Sequence, residues 1–499
     1  MAYRTSNRIG FFLGPILFAL MLLLPTPEGM APEAQRVAAI TLLMAVWWIT
    51  EAVPIPATAL LPIALFPLLG VMPSAKATVP YANHLIFLFM GGFFIAVTME
   101  RWNLHRRVAI ATIRLVGTSP SRLVLGFMLA TGFLSMWISN TATAMMMVPI
   151  PLAVIQQITG LQGQELTGTC TANPDGRRLG ISLMLGVAYA ASIGGVATLI
   201  GTPPNVIMAS MLEKLYGQHI EFAQWLAFGL PLAAATLLIA WFLLTKVLFR
   251  VRGPIGDSSE VIEQEAKALG RMTYEERCIV VVGLTVCALW IVRGFLPPFP
   301  GSKLINDTTI AILGALVLFM IPVDFKQGKF LLDWKTAVRI PWDVILLFGG
   351  GLALADGFQT TGLAAWIAQQ LTSLQGADMV VFIGVVVLMT IFLTEVTSNT
   401  ATATLLVPVM GSAAVALAIN PIGPIVAACV AASYAFMLPV ATPPNAVVFG
   451  SGCVTIPQMA RAGLWLNLIG TVLITVLIVW LLPLLWGIDL ATLPAWAVK

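Results

Sequence analysis

Two copies of a polar Ser-Asn-Thr triplet interrupt strongly apolar parts of the sequence. The first, Ser139–Thr141, lies in TGFLSMWISNTATAMMMVP at 131–149, and the second, Ser398–Thr400, lies in TIFLTEVTSNTATATLLVP at 390–408. Ser, Asn and Thr are favoured at helix N-termini. Their hydroxyl and amide groups can donate to a carboxylate while lending oxygens to a cation. The triplets therefore predict two turns that bind an anion beside a hard cation such as sodium.

Two double prolines accompany the triplets in matching order. GTPPN occupies 201–205 and ATPPN occupies 441–445, each within an apolar run. Because proline lacks an N–H and clashes with the preceding turn, each pair must interrupt its helix. Interrupted helices at membrane depth are tolerated only inside protein or beside a cavity. The carbonyls that a break frees suit sodium, and the N–H groups at the new helix N-terminus suit a carboxylate.

Fixed positive charge is missing from the sequence around these motifs. No Lys or Arg occurs in 123–176 or in 340–460. Because an uncompensated charge in a low dielectric is very costly, bound sodium ions and helix ends would have to balance a di-anion. Anion binding would then depend on the ion, which is the physical basis of coupled transport.

The composition is that of a membrane protein. Of 499 residues, 59% are hydrophobic and 10% are charged, whereas a soluble domain has about 25% charged residues. Loops rich in Lys and Arg alternate with loops that have almost none, which predicts an all-α polytopic protein of about 11 transmembrane helices. The same rule places the N-terminus inside and the C-terminus outside a cytoplasmic (inner) membrane. The net charge of +4 is modest and favours membrane orientation over a nucleic-acid partner.

The two halves of the chain form an internal repeat. Eleven of 19 positions are identical between 131–149 and 390–408, at an offset of 259. The segment 101–122 has five arginines, whereas 357–378 has no Lys or Arg, so equivalent segments should lie on opposite sides of the membrane. Such an inverted-topology repeat is typical of secondary transporters, and a duplication that serves structure alone is the alternative.

The alternation of sides also predicts the domain organisation. Two apolar stretches must enter and leave the membrane on one side, as re-entrant helical hairpins. The predicted segments are 1–83 (N-terminal scaffold helices), 84–249 (first repeat, with an inside hairpin at about 123–156 and a broken helix at 181–212), 250–278 (cytoplasmic loop), 279–341 (scaffold helices), 342–488 (second repeat, with an outside hairpin at about 379–415 and a broken helix at 422–450) and 489–499 (C-terminal tail).

Other polar and small residues have weaker signals. Glu395 lies inside the second hairpin, where a carboxylate is a functional candidate by default, although it can equally hold the hairpin in shape. Gly91-Gly92 and Gly349–Gly351 predict close helix packing. The three histidines, at 84, 105 and 219, predict no cluster. No HExxH, nucleophile-elbow or Walker sequence occurs, so neither an enzyme nor an ATP-driven pump is predicted.

Together the doubled SNT, the paired TPPN and the run ASYAFMLPVATPPNAVV at 432–448 resemble the divalent anion/sodium symporter family, over nearly the whole chain. The resemblance implies transport of dicarboxylates, citrate or sulfate, with sodium as the coupling ion and no other cofactor. It also implies a homodimer in the lipid membrane, in which a transport domain moves as an elevator against a scaffold domain.

The resemblance further implies a set of ligands. The substrate-binding residues would be Ser139, Asn140, Thr141, Thr202, Pro203, Ser398, Asn399, Thr400, Thr442 and Pro443. Sodium site one would use Ser135, Ser139, Asn140 and the carbonyl of Gly201, and sodium site two would use Thr394, Thr397, Asn399 and the carbonyl of Ala441. Ser135 and Thr394 each lie four residues, about one helical turn, before a triplet serine, so each can face the same ion as its turn.

The leading hypothesis is therefore sodium-driven symport of a C4 dicarboxylate such as succinate, malate or fumarate. Two triplets suit a molecule with two anionic ends better than one compact ion. The alternatives are a sodium-independent exchanger of dicarboxylates or tricarboxylates, sodium-coupled transport of citrate or sulfate, and, from another class, an anion channel. A basic residue at the ion positions would favour exchange, and none occurs there.

Overall fold

The structure, a computed structural model, describes residues 5–117, 119–159, 174–251, 259–293, 305–370 and 378–497. Part of the predicted cytoplasmic loop (252–258) and the last two residues of the predicted tail lie outside the described residues. Within the described ranges the chain is helical apart from loops and one two-stranded antiparallel sheet, β1 (Pro322–Asp324) with β2 (Lys329–Phe330). The prediction of an all-α protein is confirmed.

The helices of the first half lead from the N-terminus to the first helix break and beyond it. They are α1 Thr5–Leu23, α2 Pro32–Thr50, α3 Ile55–Thr58, α4 Leu61–Leu68, α5 Ser74–Thr78, a 3-10 helix Val79–Ala82, α6 His84–Arg101, α7 Leu104–Val116, α8 Pro120–Ser135, α9 Asn140–Met147, α10 Pro149–Thr159, α11 Pro174–Val196, α12 Pro203–Tyr216, α13 Phe222–Phe242 and a π-helix Leu243–Leu248.

The helices of the second half repeat the order of hairpin and broken helix. They are α14 Ser259–Leu269, α15 Tyr274–Arg293, α16 Asp307–Met320, α17 Trp334–Ala337, α18 Trp342–Thr360, α19 Leu363–Gln370, α20 Met379–Thr394, α21 Asn399–Ala416, α22 Ile422–Ala431, α23 Pro443–Gly450, α24 Ile456–Trp486 and a 3-10 helix Ala495–Ala497.

Several helices have the length and outward apolar surface of membrane spans. Among the described residues, six helices are long and apolar enough to cross a bilayer, and α18 with α19, bent by 74°, would make a seventh. The segment Asp175–Val196 is completely buried, whereas α24 leaves large side chains such as Trp480 exposed. Exposed apolar faces of this size need lipid rather than water. The membrane class is confirmed, and the count of about 11 spans stays a prediction.

Glycines allow some of these helices to pack backbone to backbone, as the sequence predicts. A Cβ atom added to Gly91 on α6 would lie 2.8 Å from the main chain of Ala311 on α16. A Cβ atom on Gly350 of α18 would overlap the main chain of Ala59. Small residues at such crossings are typical of helix contacts in membranes.

The two halves interlock around the helix breaks. The buried helix α11 packs against α8, α13 and α23. From the first half, α9 packs against α23, and α12 packs against α21 of the second half. Each helix that begins with a TPPN motif thus contacts the helix that begins with the SNT triplet of the other half.

Candidate functional site

The first SNT turn brings together three oxygens. The helix α8 ends at Ser135 and α9 begins at Asn140. The Oγ of Ser135 lies 2.6 Å from Asn140 Oδ1 and also 2.6 Å from the carbonyl oxygen of Ala191 on α11. Ser139 caps α9, since its Oγ accepts from the N–H of Ala142 at 3.3 Å. The turn therefore holds a hydroxyl, an amide oxygen and a carbonyl oxygen in contact, with the Ser135 side chain buried.

Gly195 forms the wall beside these oxygens. A Cβ atom at this position would lie 2.6 Å from Asn140 Oδ1 and 3.1 Å from the carbonyl oxygen of Gly201. The amide of Asn140 and the carbonyl of Gly201 therefore both lie next to the α-carbon of Gly195. Of the four residues predicted for sodium site one, Ser135, Asn140 and Gly201 lie together, while the Ser139 hydroxyl is engaged in capping its own helix.

The second SNT turn repeats the arrangement. The helix α20 ends at Thr394 and α21 begins at Asn399. The Oγ1 of Thr394 lies 2.7 Å from Asn399 Oδ1 and 2.9 Å from the carbonyl oxygen of Ala432. Thr397 faces its own helices instead. Its Oγ1 donates to the carbonyl oxygen of Leu393 at 2.8 Å and shares a second hydrogen bond with Thr402 Oγ1 at 2.6 Å. Among the described residues, the main chain of Ala441 makes no hydrogen bond to the main chain of the second SNT triplet.

Both helix breaks end at equivalent places, at the threonine before the double proline, and the second break is the longer one. The first spans 197–202, between α11 and α12, and the second spans 432–442, between α22 and α23. Thr202 and Thr442, which precede the prolines, have nearly the same extended backbone, with φ and ψ of −143° and 143° and of −142° and 150°. Both threonines are buried, whereas Pro203 is half-buried and Pro443 is exposed.

The asparagine of each TPPN motif stabilises its helix break through side-chain hydrogen bonds. Asn205 and Asn445 are fully buried, and each donates from Nδ2 to main-chain carbonyls of the segment before its prolines. The acceptors are Gly195 (3.3 Å), Val196 (3.2 Å) and Thr198 (2.7 Å) for Asn205, and Ala435 (3.1 Å) and Leu438 (3.0 Å) for Asn445. A buried carbonyl without a partner costs about 1–3 kcal/mol, so these amides stabilise the non-helical backbone.

The N–H groups available to an anion lie at the SNT turns rather than at the TPPN helices. Prolines occupy the first two positions of α12 and α23, and the next N–H, that of Asn205 or Asn445, already bonds to the preceding threonine. The expectation that the broken helices supply free N–H groups is therefore wrong for their first three positions. By contrast, the N–H groups of 140–141 and of 399–400 have no acceptor among the described residues.

Glu395 holds the second break in shape. Its two carboxylate oxygens accept from the N–H groups of Phe436, Met437 and Leu438 at 2.7–3.1 Å and from Asn467 Nδ2 at 2.7 Å. The side chain is buried. Of the two roles that the sequence left open, the structure favours the architectural one, because four donors already surround the carboxylate.

Sequence reasoning missed the groups that complete each oxygen cluster. The carbonyls of Ala191 and Ala432 are followed by Ser192 and Ser433, whose buried hydroxyls have no hydrogen-bond partner among the described residues. The shared AAS at 190–192 and 431–433 is a signal that could have found them. Each of these serines therefore places a second buried hydroxyl next to the carbonyl that the turn contacts.

Gly195 offers a test of the first cluster. We expect Gly195→Ala to lower the stabilisation of the protein by sodium, because the new methyl group would push against Asn140 Oδ1 at 2.6 Å. The measurement is the melting temperature of purified protein in sodium against potassium buffers, since a ligand that binds the folded state raises it. The control is Gly384→Ala on α20, where a Cβ atom meets only ordinary contacts at 3.8 Å. An unchanged sodium effect in Gly195→Ala would contradict the cluster.

Glu395 offers a test of the second break. Glutamine has a single acceptor oxygen and would turn an NH2 group toward main-chain N–H donors. We therefore expect Glu395→Gln to destabilise the protein by about 1–3 kcal/mol, seen as a lower melting temperature in both sodium and potassium. Glu51→Gln, at an exposed carboxylate after α2, is the control. Equal stability of Glu395→Gln and wild type would show that the four bonds do not hold the break.

Comparisons with known proteins agree with this architecture. The family described as "Sodium:sulfate symporter transmembrane region" matches residues 6–488. The chain is 42% identical over 491 residues to the sodium-dependent dicarboxylate transporter SdcS of Staphylococcus saprophyticus, which covers 98% of this chain and 94% of that protein. It is 43% identical to SdcS of Staphylococcus aureus strain MRSA252, over the same shares.

A solved structure shares the fold at low identity. MtrF of Neisseria gonorrhoeae superposes with a TM-score of 0.57 at 13% identity, over 94% of both chains. That likeness concerns the fold alone, whereas the family match spans almost every described helix. The chain belongs to the sodium:sulfate symporter family, whose members are divalent anion:sodium symporters.

Proposed function

We propose that this protein is a secondary transporter that couples the uptake of C4 dicarboxylates to sodium. The observation that carries the proposal is the duplicated oxygen cluster, in which a hydroxyl contacts an amide oxygen and a main-chain carbonyl at both SNT turns. The relatives that are 42–44% identical are named sodium-dependent dicarboxylate transporters. Nothing in this scheme changes the substrate chemically, so the protein acts as a transporter and not as an enzyme.

The proton count at each cluster favours a cation. A hydroxyl has one proton, so with the oxygen of the Asn140 amide facing it, Ser135 can donate to Asn140 or to Ala191 but not to both, although both oxygens lie 2.6 Å away. The two oxygens of the other close pair then face each other without a proton between them. A sodium ion would relieve that repulsion, because hydroxyl, amide and carbonyl oxygens are the ligands that hard cations prefer. The same argument applies to Thr394.

The SNT turns have the donors that a carboxylate needs. Each turn offers two N–H groups without an acceptor among the described residues, on half-buried residues at a helix N-terminus. Anions bind favourably at such helix ends. One carboxylate at 139–141 and the other at 398–400 would satisfy both turns, which supports a substrate with two anionic ends.

Coupling follows from the charges. Because no Lys or Arg lies in 123–176 or 340–460, sodium ions would supply the positive charge that a di-anion needs in a low dielectric. Substrate affinity would then fall when sodium is removed. Sodium site one would consist of Ser135, Asn140 and the carbonyls of Ala191 and Gly201, and site two of Thr394, Asn399 and the carbonyl of Ala432. The elevator motion, the inverted repeat and the homodimer remain predictions.

Transport by the purified protein tests the function. We expect labelled succinate to enter proteoliposomes under an inward sodium gradient but not under a matched potassium gradient, with malate and fumarate as competitors. Uptake that ignores sodium but requires dicarboxylate inside the vesicle would contradict symport and support the exchanger. Uptake of sulfate or citrate in place of succinate would overturn the substrate class but leave the coupling intact.

The two triplet asparagines test the site. We expect Asn140→Ala and Asn399→Ala each to abolish sodium-driven uptake, because each removes an oxygen that contacts the ion-binding hydroxyl. Asn83→Ala is the matched control, since Asn83 also lies at a helix N-terminus, where its side chain accepts from the N–H of Leu85 at 2.9 Å, but outside the turns. Correct folding of all three variants in detergent is checked by size-exclusion chromatography. Normal uptake in either turn variant would refute the site.

A further inference from the structure

Two histidines and a glutamate that are distant in sequence meet at one end of α6. His84 begins α6, Glu213 lies near the end of α12, and His219 lies in the connection to α13. Glu213 Oε2 lies 3.5 Å from His84 Nε2 and 3.5 Å from His219 Nδ1. The sequence predicted no histidine cluster, and for these two histidines that prediction is wrong. The three donor atoms all lie within 4.8 Å of one another.

Local structure explains why His219 returns to Glu213. Gly217 ends α12 with φ of 67°, a left-handed conformation that favours glycine. The N–H of Gly217 donates to the carbonyl of Glu213 at 2.8 Å, and the N–H of Gln218 donates to that of Leu212 at 3.1 Å. This helix-ending motif reverses the chain and brings its next residues back beside the last turn.

His84 is fixed from the opposite side. Asn83 caps α6 by accepting from the N–H of Leu85, and the hydroxyl of Thr308 on α16 donates to the carbonyl of His84 at 3.0 Å. The imidazole of His84 stacks on that of His219, with ring centroids 6.2 Å apart. The three side chains therefore converge from separately anchored backbone segments.

The contacts within the cluster leave the carboxylate unsatisfied. Glu213 Oε2 is buried, and its contacts to the two imidazole nitrogens, at 3.5 Å each, are long for hydrogen bonds. The side chains of the three residues are 31–36% exposed, so an ion can reach them from solvent. The Glu213 oxygen lies between two imidazole nitrogens at distances that leave room for one shared cation.

The surrounding charge is negative. Glu221 and Asp307 lie close enough to act electrostatically on His219. Arg293 pairs with both of these carboxylates, at 3.5 Å and 2.8 Å. With neutral histidines, the three carboxylates and one guanidinium sum to a net charge of −2, which favours a dication over a monovalent ion.

We propose that His84, Glu213 and His219 form a binding site for a divalent transition metal such as zinc. Ligands of a tetrahedral zinc ion at about 2.0–2.2 Å are separated by about 3.3 Å, close to both 3.5 Å distances to Glu213. Two imidazoles and one carboxylate are a ligand set that zinc accepts, with water in the fourth position, whereas magnesium and calcium prefer oxygen ligands alone. The metal would tie the start of α6 to the end of α12, the helix that begins at the first TPPN motif.

Cobalt binding tests the site without reference to transport. Purified protein with a histidine-free affinity tag is titrated with Co²⁺ in detergent, and the visible absorption of tetrahedral cobalt is recorded, followed by displacement with Zn²⁺. We expect one bound Co²⁺ per chain in the wild type. His84→Gln and Glu213→Gln should each weaken the affinity by at least about tenfold, since each removes a ligand.

Variants of His105 and Gly217 provide a control and a further test of the site. His105→Gln removes a buried histidine on α7 that is not part of the cluster, so cobalt binding should be unchanged. Gly217→Ala keeps all three ligands but strains the turn that returns His219, so the affinity should fall. Failure of the wild type to bind Co²⁺, or equal binding by His84→Gln and wild type, would overturn the metal site whatever the outcome of the succinate experiment.

Discussion

The constraint on which the candidate site depends is that main-chain groups at a helix break must find partners inside the protein. In a bilayer no water can satisfy them, yet the breaks at 197–202 and 432–442 leave several carbonyls and N–H groups outside helical bonds. The buried amides of Asn205 and Asn445 bond to the carbonyls of these segments. The breaks are therefore fixed features of the fold, and the SNT turns that contact them acquire fixed positions as well.

The two halves tie the SNT turn to the break by opposite chemistry at equivalent positions. In the first half, the hydroxyl of Thr198 in the break donates to the carbonyl of Met136 in the turn at 2.6 Å. In the second half, the carboxylate of Glu395 in the turn accepts from the N–H of Leu438 in the break at 3.1 Å. Met136 aligns with Glu395 and Thr198 with Leu438 at the repeat offsets of 259 and 240. The first link is a single hydrogen bond from a neutral hydroxyl, whereas the second is an acidic side chain that accepts from four donors.

The sequence predicted what depends on local rules and on the repeat. The helical class, the membrane setting and the helix starts at the SNT triplets all follow from apolar runs, N-cap preferences and proline. The one-turn spacing from Ser135 to Ser139 and from Thr394 to Ser398 predicted that each hydroxyl faces its turn, and in the structure each hydroxyl contacts the asparagine that follows that serine. Contacts between segments that are distant in sequence could not be predicted from these local rules. The carbonyl of Ala191 is 56 residues from Ser135, and His219 is 135 residues from His84.

The placement of the main-chain N–H donors affects how an anion and a cation would bind together. Because prolines remove the first two donors of α12 and α23 and the third donor is already bonded, the first turns of α9 and α21 offer an anion more main-chain N–H groups than those of α12 and α23. Each turn also carries an asparagine oxygen that faces the hydroxyl of Ser135 or Thr394. In the proposed function, anion and cation would share the same short turn on each side, and a sodium ion at the hydroxyl would lie close to the carboxylate that it neutralises. Opposite charges at short range attract strongly even in a partly solvated site, so neither ligand would bind well alone.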